Sequence, residues 1–156
     1  MKVEIVKRAD GGGVLRCTRA DGSVTWQKQE KHGAHFALHD LTHFAVETTL
    51  GYRRGFFGLI AEGWDIEDTT GKGERGPLPD ETTEAESIVA LFNIGLFDME
   101  RLAGALWTAE EMNSVSHAVR RLADEEILAV RKRRGELFRR WSAVPVGGTL
   151  ELLYQK

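Results

Sequence analysis

Cysteine is nearly absent, Cys17 being the only one in 156 residues. A lone thiol makes neither an intramolecular disulfide nor a cysteine-rich zinc site, so the fold must rest on packing, and the expected setting is the reducing cytoplasm. Cys17 itself is expected in a strand as an inert buried thiol. No apolar run approaches the roughly 18 residues that would span a bilayer, so no transmembrane segment is expected. Met1 to Arg8 also lack the long apolar stretch of a signal peptide. Nor is there a large excess of one charge: 21 Lys and Arg against 24 Asp and Glu leave a formal charge of -3. Global attraction to nucleic acid or an acidic membrane is therefore not expected. The chain has no G-x-S-x-G elbow, no G-x-G-x-x-G or P-loop sequence and no repeat of a solenoid's period, which argues against a serine hydrolase, a phosphate cradle and an array.

What is present is an ordered change of periodicity. Val3, Ile5, Leu15, Cys17, Val24 and Trp26 alternate with polar residues, and Asp10 to Gly13 and Ala20 to Ser23 supply turn glycines. This predicts a three-stranded antiparallel meander over about residues 2 to 8, 13 to 19 and 23 to 28, with one apolar face in need of a cover. Ala34 to Leu50 contains neither Gly nor Pro and ends at Gly51, which predicts a helix. Tyr52 to Trp64 fits a second, short helix interrupted by Gly55, Gly58 and Gly63, glycines that would let it lie close against the first. Residues 65 to 80 show no apolar period and read as a surface loop.

A third helix is expected from about Glu81 to Leu102, carrying Ile88, Leu91, Phe92, Leu96, Met99 and Leu102. Thr108 and Glu111 form a capping-box signal for a last helix bearing Met112, Val115, Val119, Leu122, Ile127 and Val130. That helix either extends to Arg134 or breaks at Gly135 and resumes. Thr149 to Gln155 alternates again, as a strand that rejoins the meander. The expected fold class is therefore α+β, one domain over residues 1–156: a three-stranded meander joined by a C-terminal strand, packed against three to four helices, with a surface loop at about 65–80.

Four of the five histidines fall within a short stretch, His32, His35, His39 and His43, accompanied by Asp40 and Glu47. At about 100° per residue, with His39 at zero, His43 lies near 40°, Glu47 near 80°, Asp40 near 100° and His35 near -40°. All five side chains thus share an arc of about 140° on one helix. Apolar residues surround the same helix, so it should be central and its polar groups should have partners. Three readings follow: a metal site, a metal-free hydrogen-bonded network, or unrelated core and surface positions. In the metal reading His39, His43, Glu47 and His35 are the candidate ligands of a divalent ion, Zn, Fe, Mn, Co or Ni. Asp40 and Glu47 are the candidate catalytic acids or bases. One helix does not close a tetrahedral site, so further ligands are sought among Glu62, Asp65, Glu67, Asp68, Glu84, Glu86 and His117, which spacing does not rank.

His39-Asp40-Leu41-Thr42-His43 resembles the HDxxH motif of the ubiquinone-biosynthesis accessory family, mostly helical proteins in which a glutamate across an eleven-residue gap completes a metal signature. Here that gap runs from Phe44 to Arg54 and ends on Gly55, so the chain departs from the pattern and Glu47 or Glu62 would have to stand in. The resemblance implies that His39, Asp40 and His43 are metal-linked, with quinone chemistry as its functional extension.

Arg131 to Arg134 with Arg139 and Arg140 forms a basic patch, expected to be a solvated helix face pairing with acidic neighbours; nucleic acid is disfavoured as a partner because no recognition module accompanies it. The functional expectation is a mononuclear metal-dependent hydrolase or lyase acting on a small molecule. The alternative is a non-enzymatic ligand-binding or homodimeric interaction domain with a buried His/Asp/Glu network.

Overall fold

Val3 and Ile5, Leu15 and Cys17, and Leu150 and Leu152 are buried on one face of a four-stranded antiparallel sheet, the face that alternation requires to be covered. The computed structural model describes residues 1–29, 33–71, 75–93, 108–116 and 118–155. The strands are β1 (Lys2–Lys7), β2 (Gly13–Thr18), β3 (Val24–Lys28) and β4 (Thr149–Leu153), in the order β3-β2-β1-β4. β4 pairs with β1, Val3 facing Leu152 and Ile5 facing Leu150, so the end of the chain does rejoin the meander.

The helices are α1 (Gly33–Leu50), α2 (Phe56–Ala61), α3 (Asp80–Asn93), α4 (Ala109–Val115) and α5 (Asp124–Ala143). A 3-10 turn, Asp68–Thr70, lies within the expected surface loop. α1 is central. Ala37, Leu41, Phe44 and Ala45 join the sheet residues, Leu137 and Trp141 in one core, while Val46 and Leu50 join Ile88, Val89, Phe92, Ile127 and Val130 in a second. The helix is apolar on two sides because it is packed on two sides, and only the remaining arc is left for polar groups. Among the described residues no helix is long and apolar enough to cross a membrane.

Two expectations are corrected. Val24 and Trp26 do not share the buried face: β3 pairs in a register that sets Thr25 opposite Cys17 and Trp26 opposite Arg16. Thr25 is buried and Trp26 is 63% exposed. The side-chain period of a strand is two, so the turn 19–23, with Gly22 in the left-handed region at φ 85°, decides which set faces inward. The last helix is two helices, not one. α4 ends at Val115, and α5 begins at Asp124 with Asp124, Glu125 and Glu126 in its first turn, where the Glu126 carboxylate accepts the Ala123 N–H. α5 then runs unbroken through Gly135. The expected extension of α3 through Leu96, Met99 and Leu102 lies outside the described residues, as do His32 and His117.

Candidate metal centre

Because α1 is continuous from Gly33 to Leu50, His39 and His43 stand one turn apart, their ring centroids 4.7 Å from each other. Their third companion comes from another element. Glu86, on α3, places Oε2 2.8 Å from His43 Nε2 and Oε1 3.5 Å from His39 Nε2. The potential ligand atoms of His39, His43 and Glu86 all lie within 4.8 Å of one another, a group able to hold a metal ion. Tetrahedral zinc with bonds of about 2.1 Å asks for ligand separations of roughly 3.4 Å. The group must therefore draw in, and the 56% exposed Glu86 side chain has room to do so.

The other ring nitrogens face carboxylates of α1 itself. His43 Nδ1 lies 3.3 Å from Glu47 Oε1, and His39 Nδ1 lies 3.8 Å from Asp40 Oδ1. Glu47, 1% exposed, is held by more than histidine: the backbone N–H groups of Phe57 and Gly58 donate to its Oε2 at 3.1 and 3.2 Å, and the Tyr154 hydroxyl lies 3.4 Å from the same oxygen. These are the second and third residues of α2, so the carboxylate closes the positive end of that helix. Asp40, also buried, accepts from the Gln29 amide.

Local electrostatics follow from this arrangement. Burial acts to lower the His43 pKa, but Glu47 and Glu86 outweigh it and raise the value to about 9. Burial likewise opposes the charged form of His39, and Asp40 and Glu86 raise it. His39 and His43 together hold the Glu86 carboxyl well below the usual carboxylate range.

Of the ligand candidates from sequence, His39 and His43 are brought together with Glu86. Glu47 is set behind His43, and His35 lies outside this group, its ring centroid 6.1 Å from that of His39. Glu86 was one acid among several in the tract 62–86, and only the packing of α3 on α1 singles it out. Gly55, where the HDxxH resemblance would place an acid, has no room for a side chain: a Cβ there would sit 2.4 Å from Glu47 Cδ. Gly55 thus serves the close approach of α2 to α1 that the glycines of this segment suggested.

The His39, His43 and Glu86 side chains open on a cavity of about 920 Å³. Its walls come from β3, α1, α2, Ile66, the 3-10 turn, Leu78, α3 and α4, so the loop at 65–80 forms part of the site's enclosure. The basic residues of α5 are elsewhere and are not simply solvated: Arg134 lies over the Phe138 ring and donates to Thr42, and Arg133 lies over Phe44. No known protein family, curated protein or solved structure matches the chain.

Proposed function

We propose that this protein is a metal-dependent enzyme, a hydrolase or lyase, with one divalent ion held by His39, His43 and Glu86. The observation that carries the reading is the sorting of the ring nitrogens: both Nε2 atoms face Glu86, at 3.5 and 2.8 Å, and both Nδ1 atoms face carboxylates of α1. Carboxylates behind metal-ligating histidines fix ring orientation and raise ligand basicity. Three protein ligands leave a coordination position open, as catalytic zinc sites do and structural ones do not. A divalent ion here supplies Lewis acidity to an oxygen of the substrate. Asp40, which lines the cavity, is placed to accept a proton, while Glu47 orients His43. The likeness to the ubiquinone-biosynthesis accessory family belongs to this proposal as a shared way of placing His39, Asp40 and His43, with the acid supplied from α3.

One observation favours a metal-free reading: His43 already has a carboxylate within 3.3 Å of each ring nitrogen, which satisfies the ring as an imidazolium. The chain is then a ligand-binding or interaction domain with a structural network. Elemental analysis of protein purified without an affinity tag separates the two. About one metal per chain is expected, falling strongly in a His39→Ala, His43→Ala double variant and in Glu86→Ala. Wild-type protein that holds no metal, and whose melting temperature is unmoved by Zn, Mn, Co, Ni or Fe, would overturn the enzyme reading.

A further inference from the structure

The cavity above the cluster has walls of Phe36, Phe56, Ile66, Leu78, Leu91 and Val115. No Lys or Arg lines it among the described residues; its side-chain nitrogens are the two imidazoles and the Gln27 amide. Its acids are Asp40 and Glu86, whose two negative charges match those of one bound divalent ion, so a phosphate or carboxylate entering here would add a further negative charge with no side-chain ammonium or guanidinium to meet it. The wall hydroxyls do not offset this. Of the five, four spend their proton on the main chain, Thr69 donating to the Ile66 carbonyl, Thr70 to Glu67, Thr82 to Arg54 and Ser87 to Thr83; the fifth, Thr83, is a single neutral hydroxyl. What the four present to the cavity is lone pairs and methyl or methylene surface. The site therefore offers apolar walls, hydrogen-bond acceptors and, at its floor, the three metal-capable side chains. Its volume of about 920 Å³ lies within the range of small-molecule pockets.

We propose that the ligand of this cavity is an uncharged, mainly apolar molecule bearing a hydroxyl group, an alcohol or a phenol, with its oxygen on the metal and its hydrogen directed to a carboxylate or hydroxyl of the wall. The ligand class rests on the metal reading above and deepens it. A hydroxyl matches both features of the floor: its oxygen has a lone pair for the ion, and its proton fits a lining rich in acceptors. An ether lacks the proton, and a phosphate ester brings charge that the walls do not balance.

The test is calorimetry on zinc-loaded full-length protein of measured metal content, titrated with 1-naphthol, 1-methoxynaphthalene and 1-naphthyl phosphate. Binding of 1-naphthol is expected, with the ether and the phosphate each weaker by about tenfold or more. Ala90, exposed and on the cavity wall one turn beyond Glu86, provides the control. Ala90→Trp should keep zinc at wild-type stoichiometry and weaken 1-naphthol by about tenfold, because the indole occupies the cavity without touching the core. Zinc-loaded protein that ignores 1-naphthol, that binds the phosphate as tightly, or that binds 1-naphthol unchanged in Ala90→Trp overturns the ligand class while leaving the metal site standing. Protein that takes up no zinc overturns the metal reading and the ligand class with it.

Discussion

His43 lies between two carboxylates, and this has a consequence for stability that can be signed. Its pKa rises from 6.5 to about 9 on folding, so in metal-free protein its protonation stabilises the fold fully below about pH 6.5, and that contribution is lost as pH rises through about 9. Glu86 is displaced in the opposite sense, downward from 4.5, so its contribution is present above about pH 4.5 and is lost as pH falls through its lowered value. The melting temperature of chelator-treated protein should therefore be highest between these limits and decline on the alkaline side toward pH 9. His43→Gln should flatten that decline; an unchanged slope would show that the pairing contributes nothing. The histidines were legible in sequence because one helical turn separates them. Glu86 was not, since it lies on another helix and nothing along the chain distinguishes it from Glu62 or Glu84. That choice is made where α3 meets α1, a matter of packing rather than spacing.

At the scale of elements, legibility followed the local signals. α1 could be read because Ala34 to Leu50 contains no Gly or Pro, and the cap of α4 because Thr108 and Glu111 stand three apart; the structure forms both bonds of that capping box. The break between α4 and α5 could not, because residues 116 to 123 contain no Gly or Pro and their apolar residues continue the stripe. Tertiary bonds hold that segment out of a helix: the Asn113 side chain bonds both the N–H and the carbonyl of Leu122, and Glu84 accepts the Arg120 N–H. Gly135 was the opposite case, a helix-breaker by type that sits inside α5. A Cβ there would meet only the Arg139 guanidinium, at 3.6 Å, the mobile end of a side chain. Gly135→Ala should therefore stabilise the protein by about 0.5–1 kcal/mol, read as a rise in denaturation midpoint. A loss of stability would mean that α5 is strained at this turn.

Across the whole molecule, the sheet's inner face is covered by α1, α2 and α5, and the other carries Lys2, Glu4, Arg16 and Glu151 in ion pairs beside the exposed Trp26. Substituting Trp26→Thr should change stability by no more than about 0.5 kcal/mol and leave metal uptake untouched, measured by denaturant melts and elemental analysis. A cost of several times that would mean that the outer face is covered in solution. Alternation alone showed that a sheet forms here, but which side of β3 turns inward depended on the hairpin, and so Trp26 was misplaced while Val3, Ile5, Leu15 and Cys17 were not.

Glu47 ties the first turn of α2, the ring of His43 and Tyr154 just beyond β4 to a single buried carboxylate. Copying His39, His43 and Glu86 onto two helices of a foreign scaffold would carry over the liganding atoms without the amides and the phenol that pin the acid behind them. The centre is not a portable cassette; whoever wishes to transplant it must bring the floor of the protein along with it.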